Sequence, residues 1–311
     1  MGNNVAFLYP GQGSQQVGMG FDLYQAWPQA KKIFDQADQL LGFPLSELCF
    51  KGPEEELNSD LNAQLAVYTV SCIITDILRK ENVFPDVVSG YSSGFYAAAY
   101  ASGCFDFATG LHIVRRAGEI LLDEGKKIDG GMAVVFGIPC EKVESVCREV
   151  GDVEVAIKNT TRQTVIAGIN SSIRKAMELS LAEGALDVYP LSVATAYHSR
   201  FVEQSSVRLL QEIKDLTLKD PHIPLVSYLS LDYVTSKEEL KTIMAGQLSH
   251  TVLWVDLIKK LRNNGTILAI EIGPGAVVSR TVRWIDRDIE IMVTATKDRL
   301  AKVIERYSAV S

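Results

Sequence analysis

A serine set between two glycines at the end of a strand-like run constrains this chain more than any other feature. Asp86-Val87-Val88-Ser89 leads into Gly90-Tyr91-Ser92-Ser93-Gly94, and residues 95–101 are rich in helix formers. A strand that turns sharply into a helix needs glycine on both sides, because the backbones pass too close for side chains, and the turn residue is pushed into the open. The pattern predicts an α/β fold with Ser92 exposed at the carboxyl end of a strand. The dipole of the following helix favours negative charge there, and the Ser93 N–H at its start is free to donate to an oxyanion.

The rest of the chain supports that class. Val5-Ala6-Phe7-Leu8-Tyr9 reads as a short buried strand that breaks at Pro10-Gly11, and a helical stretch covers residues 23–41. Asp106 is placed to cap a helix running to about residue 124. From 127 to 192 the texture changes: strand-like 132–136, helical 141–150, strand-like 153–157 and 164–167, helical 172–183, then strand-like 187–189. This β-α-β-β-α-β order is the ferredoxin-like signature. The expected architecture is an α/β-hydrolase-like core with a parallel central sheet, residues 1–126 and 193–311, carrying an inserted ferredoxin-like subdomain, residues 127–192. The larger domain resumes with helices near 200–216, 237–247 and 254–262. Ile267-Leu268-Ala269-Ile270-Glu271-Ile272 then suits a central parallel strand, closed by Gly273-Pro274-Gly275.

Composition excludes several functions. With 31 basic against 38 acidic side chains and a net charge of −7, the chain is not a nucleic-acid binder working by bulk charge. The weakly polar stretch 95–105 falls short of the ~20 residues a bilayer needs, so no membrane span is expected. Met1-Gly2-Asn3-Asn4-Val5-Ala6 lacks the charged and apolar regions of a secretory signal, and Ala6 stands where a myristoylation signal has Ser or Thr, which points to a cytoplasmic protein. Cys49, Cys72, Cys104, Cys140 and Cys147 form an odd set without a C-x-x-C pair, and the four histidines are scattered. Neither a disulfide framework, nor a protein-held metal, nor a resident cofactor is expected.

A serine hydroxyl is a poor nucleophile at neutral pH and needs a general base within hydrogen-bond reach. His198, in Ala196-Tyr197-His198-Ser199 between an apolar segment and a helix, is the candidate. His112 sits mid-helix and His222 in a proline-flanked loop, both reading as structural, while His250 is a secondary candidate.

Five motifs occur in an order that resembles the malonyl-CoA:acyl-carrier-protein transacylases over nearly the whole chain. They are Tyr9-Pro10-Gly11-Gln12-Gly13-Ser14-Gln15, the Ser92 elbow, Ala196-Tyr197-His198-Ser199, Gln247-Leu248-Ser249-His250-Thr251-Val252-Leu253-Trp254 and Glu271-Ile272-Gly273-Pro274-Gly275. The resemblance implies that Ser92 is the acylated nucleophile and His198 its base. The backbone N–H groups of Gln12 and Ser93 would form the oxyanion hole, and Gln247 would orient His198 through its carbonyl. Gly11, Tyr91 and Ala117 would lie on the substrate side. It also implies a ping-pong reaction in which Ser92 takes an acyl group from an acyl-CoA and the phosphopantetheine thiol of an acyl carrier protein removes it, with no tightly held cofactor.

The chain departs from that family at telling positions. The usual elbow is G-H-S-x-G-E, where this chain has Tyr91 and Phe95. Counted without gaps, the arginine that clamps the malonyl carboxylate falls at Ala117. Arg115 and Arg116 point about 200° and 100° away from it on a helix, so only a rotation or a one-residue slip would let Arg116 serve. The expectation is an acyl group without a free carboxylate. Two other functions fit the motifs: an acyl hydrolase that clears stalled chains from carrier proteins in a polyketide-type pathway, and a catalytically silent carrier-binding subunit. Lys126-Lys127, or Arg280, Arg283 and Arg287, are candidate docking patches for an acidic carrier protein.

Overall fold

The strand that precedes the serine lies at one edge of a parallel sheet, and the amino-terminal strand runs beside it. The computed structural model describes residues 4–193 and 195–308, so the reading of Met1, Gly2 and Asn3 lies outside the described residues. In chain order the strands are β1 (Asn4–Tyr9), β2 (Val87–Gly90), β3 (Gly130–Phe136), β4 (Val153–Thr160), β5 (Gln163–Ile169), β6 (Asp187–Pro190), β7 (Thr266–Glu271) and β8 (Glu290–Val293). β2-β1-β7-β8 form the parallel sheet, with Ala6 opposite Val87 and Leu8 opposite Glu271. Residues 5–9 are all buried, which is why this strand is a continuous apolar run rather than an alternating one. Buried Glu271 ends β7 and accepts from the N–H groups of Val278 (3.1 Å) and Ser279 (2.7 Å), fixing the start of the helix Val277–Ile285.

The other four strands form an antiparallel sheet in the order β4-β5-β3-β6, with the helices Cys140–Val150 and Asn170–Ala182 packed on it. This is the expected ferredoxin-like subdomain. It is joined to the larger unit through β4: Lys158 N–H donates to Val252 O and Val252 N–H to Ala156 O, both at 2.9 Å.

Two helical expectations change. The stretch 23–41 is two helices, Phe21–Ala26 and Pro28–Leu41, because Pro28 has no N–H to continue the first and holds Trp27 extended (φ −126°, ψ 123°). The helix Asp60–Lys80 is long and apolar enough to cross a membrane, which the stretch 95–105 is not. However, 83% of its apolar window is buried inside the protein, where it packs against Pro28–Leu41 and Phe107–Gly125. Asp106 caps the last of these as expected, accepting from Thr109 N–H at 2.8 Å.

The elbow explains both of its glycines. A Cβ on Gly90 would lie 2.2 Å from the Gly94 carbonyl carbon, and one on Gly94 would lie 2.2 Å from the Tyr9 carbonyl oxygen. Ser92 between them has φ 53°, a left-handed backbone that few non-glycine residues adopt. Since neither clash can be relieved by a rotamer change, Gly94→Ala is expected to destabilise the fold by about 3 kcal/mol or more, read as a lowered melting temperature or loss of soluble protein. A melt within a degree of wild type would contradict this account of the elbow.

Candidate active site

Ser92 and His198 meet although 106 residues separate them: Ser92 Oγ lies 2.7 Å from His198 Nε2. His198 also has a left-handed backbone (φ 58°), held by its own N–H to Leu248 O at 2.9 Å. On the far side of the ring Nδ1 lies 2.8 Å from the Gln247 main-chain carbonyl. A carbonyl can only accept, so Nδ1 carries the proton and Nε2 presents its lone pair to the serine. Gln247 is itself buried, its Oε1 accepting from Tyr228 O–H at 2.7 Å. Burial removes water from the imidazole and pulls its pKa down to about 4, against the smaller raising effect of its backbone hydrogen bonds. The base is therefore neutral and ready to accept a proton across the physiological range.

Two main-chain amides face the same point. Ser93 N–H, at the start of the helix Gly94–Ala101, donates to no acceptor among the described residues. Gln12 N–H lies 3.2 Å from Ser93 Oγ, so in the free protein that hydroxyl occupies the second donor. Gly11 is not on the cavity wall. It lets the loop approach the elbow, since a Cβ there would lie 2.5 Å from Tyr91 O. The side chain of Gln12 donates through Nε2 to buried Asp60, whose other oxygen accepts from Tyr197 O–H at 2.5 Å; Gln64 Nε2 in turn reaches Gln12 Oε1 at 3.2 Å.

Ser92, His198, Gln12 and Tyr91 open onto one cavity of about 680 Å³. Its inner wall is largely apolar, with Leu121, Met132, Val134, Ile157, Val165 and Leu191, and among the described residues Arg280 is the one charged side chain that lines it. Ala117 does not line it. That residue is wholly buried on the helix Phe107–Gly125, one turn before Leu121, which does. Arg116 binds Glu212 (2.6 and 2.9 Å) and Glu119, and Arg115 binds Glu119 at 2.8 Å; neither lines the cavity. Tyr91 is both a packing and a polar residue, its ring edge-on to Trp254 at 5.2 Å and its O–H donating to Asn159 Oδ1 at 2.6 Å.

His250 turns away to Gly246 O (2.8 Å), and His112 and His222 are exposed outside the cavity. No cluster able to hold a metal occurs among the described residues, and the five cysteines are buried and unbridged. Sequence reasoning did not find Asp60, Tyr228 or Asn159. Each acts through a contact with a residue distant in the chain, and no local spacing marks it. Lys126 and Lys127 are drawn to Asp123 and Glu124, whereas Arg280, Arg283 and Arg287 make no ion pair among the described residues.

Residues 6–309 match the sequence model of the family described as the acyl transferase domain. The malonyl CoA-acyl carrier protein transacylase of Bacillus subtilis (strain 168) is 33% identical over 307 residues, covering 97% of each chain. The polyketide biosynthesis malonyl CoA-acyl carrier protein transacylase PksC of the same organism is 35% identical over 293 residues, 93% of this chain and 99% of the relative. Among solved structures, a malonyl-transacylase in complex with its type II polyketide acyl-carrier protein superposes with a TM-score of 0.94 at 27% identity, covering 97% of this chain and 99% of that one.

The depressed pKa of His198 sets a pH dependence. Below about 4 the imidazole is protonated and cannot accept the serine proton; above it the base is available. Labelling of Ser92 by an active-site phosphonate is expected to be flat from about pH 5 to pH 8 and to fall with an inflection near 4. An inflection near 6.5, the ordinary histidine value, would show that burial does not tune this base.

Proposed function

The chain belongs to the acyl transferase domain family, and from that membership we propose that it moves an acyl group without a free carboxylate from a CoA thioester, through Ser92, to the phosphopantetheine thiol of an acyl carrier protein. Support comes above all from one observation: a Ser92–His198 pair opens onto an apolar cavity that no arginine from the helix Phe107–Gly125 enters. A carboxylate drawn into a dry pocket needs a bidentate cation, and removing such a partner costs about 3–5 kcal/mol, several hundred-fold or more in selectivity.

In the first half-reaction Ser92 Oγ attacks the thioester carbonyl carbon while its proton passes to His198 Nε2. The carbonyl oxygen becomes an oxyanion held by the N–H groups of Ser93 and Gln12, the latter released from Ser93 Oγ. Collapse breaks the carbon–sulfur bond, and the leaving thiolate takes the proton from the imidazolium. In the second half the carrier's thiol gives its proton to His198 and attacks the ester, and Ser92 leaves and is reprotonated. Water in place of that thiol would release the free acid, which is the hydrolase alternative. The intact reactive pair weighs against a silent subunit.

The carrier's acidic surface would meet Arg283 and Arg287, beside Arg280 on the cavity rim. This is a local positive patch on a chain of net charge −7. The same stretch carries Trp284, 70% exposed.

Intact-protein mass spectrometry after incubation with a panel of acyl-CoA thioesters tests the proposal. Neutral acyl groups are expected on Ser92 and malonyl only at low occupancy, with transfer exceeding free-acid release once holo carrier protein is added. Rapid, saturating malonylation with no acylation from neutral donors would overturn the acyl class. Free acid as the main product in the presence of carrier would favour hydrolysis. Arg283→Glu with Arg287→Glu is expected to raise KM for the carrier severalfold and to flatten its salt dependence. An unchanged salt dependence would remove the patch from the docking surface.

A further inference from the structure

Among the polar side chains on the cavity wall, Asn159 and Gln163 come from the smaller sheet and take no part in the catalytic pair or the amide donors. Asn159, on β4, is only 8% exposed and lines the cavity, yet its Nδ2 donates to no acceptor among the described residues. Its other amide atom is committed, since Oδ1 accepts from Tyr91 O–H at 2.6 Å. Tyr91 in turn cannot readily swing away. It is the residue before Ser92 on the elbow, and its ring lies edge-on to fully buried Trp254, whose Nε1–H is anchored on Thr281 Oγ1 at 2.9 Å. With Oδ1 accepting from the phenol, Nδ2 is the end of Asn159 that is left for the cavity.

An amide N–H that opens onto a cavity without an acceptor of its own is free to donate to a bound group. The side chains of Ile157 on the same strand and of Val165, paired with it on β5, are apolar and offer no acceptor. One amide N–H on an apolar wall is enough for a neutral oxygen and far too little to desolvate a carboxylate. The geometry points to Asn159 as a specificity-determining residue that reads a neutral acceptor oxygen, a ketone or hydroxyl, on the acyl chain close to the thioester. This deepens the proposed function and rests on it: Tyr91 ties the selecting amide to the residue that neighbours the nucleophile.

The test is single-turnover acylation of Ser92, followed by intact mass, from 3-oxobutanoyl-CoA, 3-hydroxybutanoyl-CoA and butanoyl-CoA. Wild type is expected to react at least about tenfold faster with an oxygenated donor than with butanoyl-CoA. Asn159→Leu, of similar volume, is expected to bring that ratio within about twofold of one. Tyr91→Phe, which removes only the hydroxyl that holds the amide, is expected to lie between them, and it supplies the readout should the leucine variant fail to fold. Equal wild-type rates, or a ratio that either folded variant leaves at the wild-type value, would overturn the assignment and leave the acyltransferase reading intact. No acylation of Ser92 from any of the three donors would overturn that reading as well.

Discussion

The candidate active site depends on one 2.7 Å contact between two residues that both sit in left-handed backbone conformations. Such conformations cost energy in non-glycine residues and persist only where the surroundings over-determine them. At Ser92 the constraint is steric: two glycines let the strand-to-helix turn nest against the β1 loop, and no side chain would fit in either place. At His198 it is hydrogen bonding, with the main-chain carbonyls of Leu248 and Gln247 holding backbone and ring respectively. A carbonyl in the place where many triads use a carboxylate changes the electrostatics. It fixes the tautomer without a compensating negative charge, so burial dominates and the imidazole stays neutral.

Helix Asp60–Lys80 extends that constraint into the core. Its first residue accepts from the Gln12 side chain and from Tyr197, the neighbour of the base. One carboxylate thereby ties the loop that carries Gln12 to the loop that carries His198. Both are anchored on a helix buried along almost its whole length. A reacting geometry held by the core rather than by loops alone is what acyl transfer requires, since the donors must be in place before charge develops.

The elbow, the histidine and the alternation of strands and helices were legible in the sequence because each is a local signal. Glycine spacing reports a tight turn, and a continuous apolar run reports a strand covered on both faces. The helix Asp60–Lys80 was not, because a helix buried all round has no polar stripe to give it a period. Pro28 was legible as a breaker and should have divided the stretch 23–41. Asp60, Tyr228 and Asn159 escaped for a different reason. The hydrogen bond of Asp60 to Tyr197 joins residues 137 apart, and that of Tyr91 to Asn159 joins residues 68 apart. Asn159 follows a strand-like stretch that ends, by sequence pattern, at Ile157; only the folded sheet shows that the strand continues to Thr160 and turns that amide toward the nucleophile.

The two sheets contribute different parts of the cavity. Ser92, His198, Gln12 and Gln247 all come from the larger unit, whereas Met132, Val134, Ile157, Asn159 and Val165 of the acyl wall come from the strands of the smaller one. Chemistry and selectivity can then change separately, since side chains of the wall can be replaced without moving Ser92, His198 or the main-chain amides of Gln12 and Ser93. A wall built mainly of apolar side chains, with the amides of Asn159 and Gln163 among them, offers shape and neutral hydrogen bonds to whatever it holds. Tyr91 belongs to both parts, standing beside the nucleophile and bonding to the wall. A side chain of that kind is where a change in acyl preference can be built while the serine keeps its partner.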